Sequence, residues 1–263
     1  MADGLTSGGL GDAIAASFVA GAVATALGGA LALLVPTLTE KRRAALTGFS
    51  AGVMLGASFL ALLLPAIAIE VSRGSALKGL VLPMSGLAAG ALAIALLDRF
   101  APHEHFLGGR EGPASPTLAR TWLFVIAIAL HNLPEGLAVG VGVASGDPSL
   151  ALGVTLSIGL QNVPEGLIVA VALLAEGYSR ARSLGYAALS GLVEPVGAGV
   201  GFVAASVADA ALPIALSFAG GAMIYVVLGE VIPESHRGGG AKAATWGAVI
   251  GCGVALVLDR GFA

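Results

Sequence analysis

Two short motifs in the sequence carry the side chains best suited to chemistry. Residues 131–136 read HNLPEG and residues 161–166 read QNVPEG, so the pattern Asn-x-Pro-Glu-Gly recurs at an offset of 30 residues. The glutamates of the motifs, Glu135 and Glu165, lie inside long apolar stretches, as does a third glutamate, Glu194. Carboxylate oxygens, amide oxygens and an imidazole nitrogen, without a thiolate, are typical ligands of a divalent transition metal. The motifs therefore predict a metal site.

The spacing within each motif favours a single shared site. His131 and Glu135 are four residues apart and so lie on one face of a helix, and Gln161 and Glu165 repeat this relation. Zinc binds histidine nitrogen and carboxylate oxygen readily, and the same ligands also suit Fe²⁺, Mn²⁺ and Cd²⁺. The alternative interpretation is that these polar groups only hydrogen-bond to one another and join helices.

Charge is scarce in the rest of the chain. Of its 263 residues, 57% are hydrophobic and 11% are charged, whereas a soluble domain carries roughly 25% charged residues. This composition excludes a soluble enzyme, a disordered regulator and a nucleic-acid-binding protein, and the net charge of −3 offers no phosphate-binding surface. The single cysteine, Cys252, excludes disulfides within the chain. The composition is typical of a polytopic membrane protein.

Eight apolar runs are long enough to cross a bilayer, which takes about 20 residues per helix. Reading between charged positions places these spans at about 13–39, 44–69, 79–97, 121–146, 148–175, 183–208, 210–232 and 243–260. We therefore expect an all-α protein with one transmembrane domain over residues 1–263 and a flexible polar loop at 98–120. A carboxylate inside a span costs about 2.5–3.5 kcal/mol, so the three glutamates indicate a functional site.

The charges also predict an orientation and a depth. Ten basic residues lie at loops and span ends on one side of the membrane and three lie on the other. The positive-inside rule then places both termini outside and the 98–120 loop in the cytoplasm. His131 is 11 residues beyond Arg120, about 16 Å along a helix, and half of the hydrocarbon core is about 15 Å. Glu165 and Glu194 lie equally far from their predicted inner ends, so the polar groups are predicted to meet near the midplane.

The chain resembles the ZIP (Zrt/Irt-like) family of divalent metal transporters, in particular its prokaryotic GufA-like branch. The resemblance covers essentially the whole chain and rests on HNLPEG at 131–136, QNVPEG at 161–166, SGLVEPVGA at 190–198 and GEVIPESH at 229–236. It implies a binuclear metal centre at the midplane, with the glutamates at 135 and 165 bridging. The first ion would be held by His131, Glu135 and Glu165. The second would be held by Asn132, Glu135, Gln161, Asn162, Glu165 and Glu194.

The resemblance implies functions for further residues. Met54 matches a methionine near the first metal, with ordinary core packing as the alternative. Residues that match a metal exit route toward the cytoplasm are Glu230, Glu234 and His236, and two histidines in a loop where ZIP proteins often bind metal are His103 and His105. For the loop, a solvated segment without metal is the alternative. Many family members carry His at 161 and Asp at 162, so Gln161 and Asn162 lower the charge at the second metal.

The function implied by the resemblance is import of a divalent metal into the cytoplasm by a multi-pass protein of the cell membrane that is not an enzyme. Zinc is the expected substrate, with Fe²⁺, Mn²⁺ or Cd²⁺ as further candidates. Alternating access would move spans 1, 4, 5 and 6 against spans 2, 3, 7 and 8 within a homodimer. Two alternatives stay open: an intramembrane metallopeptidase, whose H-E-x-x-H motif is not found here, and a proton-coupled transporter of a non-metal solute.

Overall fold

The computed structural model describes residues 8–35, 37–74, 76–105, 109–111, 120–208 and 210–261. Within these residues, eight helices are long and apolar enough to cross a membrane, which confirms the prediction of an all-α membrane protein with eight spans. In chain order they are α1 (Leu10–Leu31), α2 (Glu40–Ser72), α3 (Ala76–Phe100), α4 (Arg120–Ala144), α5 (Pro148–Ala175), α6 (Arg180–Ser206), α7 (Ala211–His236) and α8 (Ala241–Gly261). The side of the membrane on which the termini lie stays a prediction.

Polar side chains at the helix starts explain several of these boundaries. The hydroxyl oxygen of Thr39 accepts a hydrogen bond of 3.3 Å from a backbone N–H in the first turn of α2. Asp147 caps α5 in the same way, with Pro148 in the first turn. Helix α1 ends at Leu31, although the predicted span continued to residue 39. No charged residue separates Leu31 from α2, so a count of apolar residues does not detect the loop between them.

Within the described residues, three helices contain a π-helical turn, at Val19–Val23 in α1, Ser58–Leu63 in α2 and Val227–Val231 in α7. In α2 and α7 a proline, Pro65 or Pro233, is the second residue after the turn. Because proline has no N–H to donate to the preceding turn, the regular α-helical hydrogen-bonding pattern is interrupted there. Turns of this kind are frequent at functional sites.

Helix α6 is interrupted at Leu192, which separates the segments Arg180–Gly191 and Val193–Ser206. Pro195 lies in the next turn, and its missing N–H leaves the carbonyl group four residues earlier without its helical partner. The interruption places Glu194 in the first turn of the second segment. The prolines of the two repeated motifs, by contrast, lie inside α4 and α5, and both helices continue past them.

Four pairs of helices in the described part of the chain contact each other through glycines at which an added methyl group would lie within 2.4 Å of a backbone carbonyl oxygen. A methyl group added to Gly48 would lie 2.1 Å from the carbonyl oxygen of Ala244, and one added to Gly90 would lie 1.9 Å from that of Phe218. The pairs packed in this way are α2 with α8, α4 with α6, α3 with α7 and α1 with α5.

These close contacts divide the molecule into two groups of four helices. In the described part of the chain, every helical glycine whose added methyl group would come within 3.0 Å of another helix makes that contact inside one group. The site group consists of α1, α4, α5 and α6, and the flanking group consists of α2, α3, α7 and α8. Within each group the backbones are therefore locked together by small residues.

The 98–120 segment contains a short β-hairpin that the sequence did not predict. Strand β1 (His103–His105) pairs antiparallel with β2 (Gly109–Glu111), and β1 packs against α4. Asp98, the first residue of the predicted loop, lies in α3. Residues 106–108 and 112–119 of the loop lie outside the described residues.

Candidate metal centre

The polar side chains of the two motifs are buried in the interior of the site group. Asn132 and Glu135 on α4, Gln161 and Asn162 on α5 and Glu194 on α6 are all 0% exposed. A buried polar group left without a partner costs about 1–3 kcal/mol, and more if it is charged. Three helices thus bring buried carboxylates and amides together in the interior of the protein.

The glycine of each motif allows a neighbouring helix to approach the glutamates. A methyl group added to Gly136 would lie 2.1 Å from the carbonyl oxygen of Glu194, and one added to Gly166 would lie 2.0 Å from that of Thr25. Helix α6 therefore crosses α4 at the first motif, and α1 crosses α5 at the second. The sequence did not predict this packing function of the two glycines.

The carboxylates of the site interact with one another. Glu135 interacts electrostatically with Glu165 and Glu194, and the side-chain amides of Gln161 and Asn162 lie beside it. In the described part of the chain, the buried oxygens of this site without a hydrogen-bond partner are Asn132 Oδ1, both carboxylate oxygens of Glu135, Gln161 Oε1, Asn162 Oδ1, Glu165 Oε1 and Glu194 Oε2. Because buried acceptors are normally paired, a cluster of this kind indicates a site for a cation.

Two amides use their N–H groups on protein acceptors and leave their oxygens for the cluster. Asn162 Nδ2 donates to the carbonyl oxygen of Ala20 at 2.9 Å and to Glu194 Oε1 at 2.8 Å. Asn132 Nδ2 donates to the carbonyl oxygen of Ser190 at 3.0 Å. The orientation of both amides is thereby fixed, and each presents an oxygen that a hard or borderline cation can bind.

His131 is paired with Glu230 of α7 through its Nε2 atom and a carboxylate oxygen. Glu165 adds to the negative potential at the imidazole ring. Among the described residues, no three His, Cys, Asp or Glu side chains are gathered closely enough to hold one ion. In this arrangement the Nε2 atom of His131 is engaged with Glu230.

The site opens into a cavity of about 930 Å³, a volume that includes the part open to solvent. Met54, His131, Glu135 and Glu165 line its deep end, and the exposed Arg237 lines its mouth. A water molecule occupies roughly 30 Å³, so the cavity can hold a hydrated ion. The mouth lies at the start of α2 and the end of α7, which is the end predicted to face the cytoplasm.

A packed apolar layer lies on the opposite side of the site. Leu62, Val139, Ile158, Leu216 and Met223 are each 0% exposed and belong to one hydrophobic cluster. On its helix, each lies farther from the cavity mouth than the polar residues of the site and the cavity wall. The cavity thus opens at the end of the helices predicted to face the cytoplasm, and a packed apolar layer lies on the other side of the site.

The predicted exit residues of α7 have different surroundings. Glu230 and Glu234 line the cavity, and Glu234 lies 3.3 Å from Arg237. His236 does not belong to the cavity wall, and its Nε2 atom lies 3.1 Å from the hydroxyl oxygen of Thr245 on α8. The structure thus brings two of the three residues next to the site.

His103 is buried against the end of α3 and is 1% exposed. Its Nδ1 atom lies 2.8 Å from the carbonyl oxygen of Ala101, and its Nε2 atom lies 2.8 Å from Asp98 Oδ1. Both ring nitrogens of His103 are thus engaged with protein oxygens, and the residue does not line the cavity. The side chain of His105 lies outside what the structure describes.

Two residues that the sequence did not single out contact the site. The hydroxyl of Ser50 on α2 donates to the carbonyl oxygen of Gln161 at 3.2 Å and so joins the flanking group to the site group. Gly21 on α1 lies against the carboxylate of Glu194. Neither position has a distinctive signal, because glycine and serine are common in membrane helices for reasons of packing alone.

The fold and the site together define a polytopic membrane protein with a buried cluster of carboxylates and amides in its interior. The family model described as "ZIP Zinc transporter" matches residues 102–259. "Zinc transporter GufA" of Myxococcus xanthus is 44% identical over 253 residues, which cover 95% of this chain and 98% of that protein. "Zinc transporter ZIPB" of Bordetella bronchiseptica is 45% identical over 241 residues, covering 91% and 78%. "Zinc transporter ZIP11" of Homo sapiens is 33% identical over 319 aligned positions, covering 90% and 93%.

The chain belongs to the ZIP zinc transporter family. It is therefore a multi-pass membrane transporter and not an enzyme, which excludes the metallopeptidase alternative.

Proposed function

We propose that the protein imports a divalent metal ion across the cell membrane into the cytoplasm, with zinc as the main substrate and Fe²⁺, Mn²⁺ or Cd²⁺ as further candidates. The observation that carries this proposal is the buried cluster of unpartnered oxygens on three helices, next to a cavity that leads to one side of the membrane. Carboxylates at this depth need a positive partner. The names of the relatives GufA and ZIPB as zinc transporters support zinc as the ion.

Two ions would share the site. The first would be bound by His131, Glu135 and Glu165, with Met54 on the same cavity wall. The second would be bound by Asn132, Gln161, Asn162 and Glu194 together with the same two glutamates. Because Gln161 and Asn162 bind a cation less strongly than the histidine and aspartate that many family members carry there, we expect the second ion to be held more weakly than in those members.

Release would proceed through the cavity toward the cytoplasm. Glu230 and Glu234 lie along this route, so they can receive an ion that leaves the deep end. Re-formation of the pair between His131 and Glu230 would then restore the metal-free arrangement. His236 and His103 do not line the cavity and would meet an ion only after it has left.

The two helix groups provide a physical basis for alternating access. Backbone contacts at glycines lock the helices within each group, whereas the groups are joined by side-chain contacts such as Ser50 with Gln161 and His131 with Glu230. Side-chain contacts can be exchanged without separating packed backbones. We propose that the site group moves against the flanking group, within a homodimer, and that the arrangement described here is the one open to the cytoplasm.

Zinc uptake into proteoliposomes tests the proposed function. Wild-type protein should carry zinc to an indicator inside the vesicles. Glu135→Ala should lower the rate about tenfold or more, since it removes a ligand of both ions. Glu176→Ala is the matched control, because this glutamate is exposed at the end of α5, and it should transport as the wild type does.

The possible results separate the remaining alternatives. Absence of zinc flux in the wild type, or full flux in Glu135→Ala, would contradict metal import. Proton movement linked to another solute in metal-free buffer would favour the proton-coupled transporter. Competition by Fe²⁺, Mn²⁺ and Cd²⁺ in the same assay gives the order of preference among metals.

A further inference from the structure

Helix α1 contains no histidine, and no carboxylate beyond Asp12 in its first turn, yet it forms one wall of the candidate metal centre. Its π-helical turn, Val19–Val23, packs on α5, α6 and the side chains of the site. The backbones approach closely, since a methyl group added to Gly191 of α6 would lie 2.9 Å from the Cα atom of Ala22.

Gly21, in the middle of this turn, leaves the space that the carboxylate of Glu194 occupies. A methyl group added to Gly21 would lie 2.5 Å from Cδ, 2.6 Å from Oε2 and 2.7 Å from Oε1 of Glu194. All three carboxylate atoms are thus in the way. Since comfortable contacts begin at roughly 3.5 Å, the carboxylate would have to retreat by about 1 Å.

The same turn also fixes the amide next to Glu194. The carbonyl oxygen of Ala20 accepts the hydrogen bond from Asn162 Nδ2, and the same nitrogen donates to Glu194 Oε1. Glu194 Oε2 has no hydrogen-bond partner among the described residues. One oxygen of Glu194 is therefore held by the protein, and the other is left for a ligand.

We propose that Gly21 is a positioning residue of the metal centre, which sets the place of the Glu194 carboxylate and thereby the binding of the second ion. This inference rests on the proposed function. A side chain at position 21 displaces Glu194 and strains its hydrogen bond with Asn162, and the loss falls on the second ion because only that ion uses these two residues.

The test compares Gly21→Ala with Gly153→Ala, a buried glycine of α5 at which an added methyl group meets nothing within 4 Å. Zinc bound per chain and zinc affinity are measured on the purified full-length protein, and uptake is measured in proteoliposomes. Gly21→Ala should lower the affinity for the second ion about 10–100-fold, which is the usual effect of disturbing a group that orients a ligand. It should leave the first ion in place and lower uptake, whereas Gly153→Ala should behave as the wild type.

A second variant relieves the same clash from the other side. Glu194→Asp shortens the side chain by one methylene group and makes room for a methyl group at position 21. Gly21→Ala combined with Glu194→Asp should therefore bind zinc as Glu194→Asp alone does. This comparison also serves if Gly21→Ala alone cannot be purified in folded form.

The outcomes separate this inference from the proposed function. Wild-type zinc binding and uptake in Gly21→Ala would overturn the inference and leave the proposed function intact. A further loss in the double variant relative to Glu194→Asp would assign the effect to packing of α1 and would also overturn it. A wild-type protein that neither binds nor transports zinc would overturn both.

Discussion

Replacing Gly136 by alanine would force helices α4 and α6 apart at the candidate metal centre. The added methyl carbon would lie 2.1 Å from the carbonyl oxygen of Glu194, whereas a carbon and an oxygen normally approach to about 3.3 Å. The two backbones must therefore separate by roughly 1.2 Å. Overpacking of a well-packed interior costs about 1–3 kcal/mol. For a chain of this size, that lowers the melting temperature by roughly 2–12 °C.

Two further glycines supply controls for this prediction. A methyl carbon added at Gly140 would lie 2.0 Å from the carbonyl oxygen of Ala198, in the same interface and one turn away from the motif. It should cost similar stability but lower zinc uptake less, since Ala198 is not a ligand. Gly153→Ala meets nothing within 4 Å and should gain about 0.5–1 kcal/mol through the preference of helices for alanine.

Thermal unfolding in detergent and uptake in proteoliposomes measure the two effects separately. The reasoning is refuted if Gly136→Ala melts and transports as Gly153→Ala does. It is refuted in part if Gly140→Ala lowers uptake as much as Gly136→Ala, because the loss would then come from helix packing and not from displacement of Glu194.

Three further predictions concern the ligands and their partners. Ser50→Ala removes the hydrogen bond to Gln161, which is worth about 0.5–1.5 kcal/mol. The equilibrium between arrangements should therefore shift about 2–10-fold away from the one in which the cavity is open. The labelling rate of a cysteine placed in the cavity measures this shift, and an unchanged rate would speak against it. His131→Ala should lower zinc uptake more than His103→Ala, and the reverse order would move the principal site to the hairpin. Zinc at 100 times its dissociation constant should stabilise the wild type by about 2.7 kcal/mol, measured as a rise in melting temperature that Glu135→Ala should lack.

The eight helices could be predicted because bilayer crossing imposes a simple rule on composition. The end of α1 was predicted too late, at residue 39 and not at Leu31, since the following loop contains no charge. The hairpin of β1 and β2 was not predicted, because its short segments lie in a polar, proline- and glycine-containing stretch without strand periodicity.

The candidate site could be predicted as far as its residues lie close together in the chain. Spacing placed His131 and Glu135 on one face, and the repeated motif indicated their relation to Glu165. Contacts between residues far apart in the chain are not marked by any spacing or repeat in the sequence. The partner of His131 is Glu230, 99 positions away, and the wall formed by Gly21 depends on how α1 crosses α6.

The pairing of the helices has a twofold symmetry. The pattern of packed pairs is unchanged when α1 is exchanged with α6, α2 with α7, α3 with α8 and α4 with α5. Under this exchange the pair α2–α8 becomes α7–α3, and the pair α4–α6 becomes α5–α1. The π-helical turns followed by Pro65 in α2 and by Pro233 in α7 obey the same exchange. Because the exchanged helices run in opposite directions across the membrane, this is the relation of an inverted repeat. The two halves of an inverted repeat are related by a twofold axis in the membrane plane, so exchanging their conformations would turn an arrangement open to one side of the membrane into one open to the other.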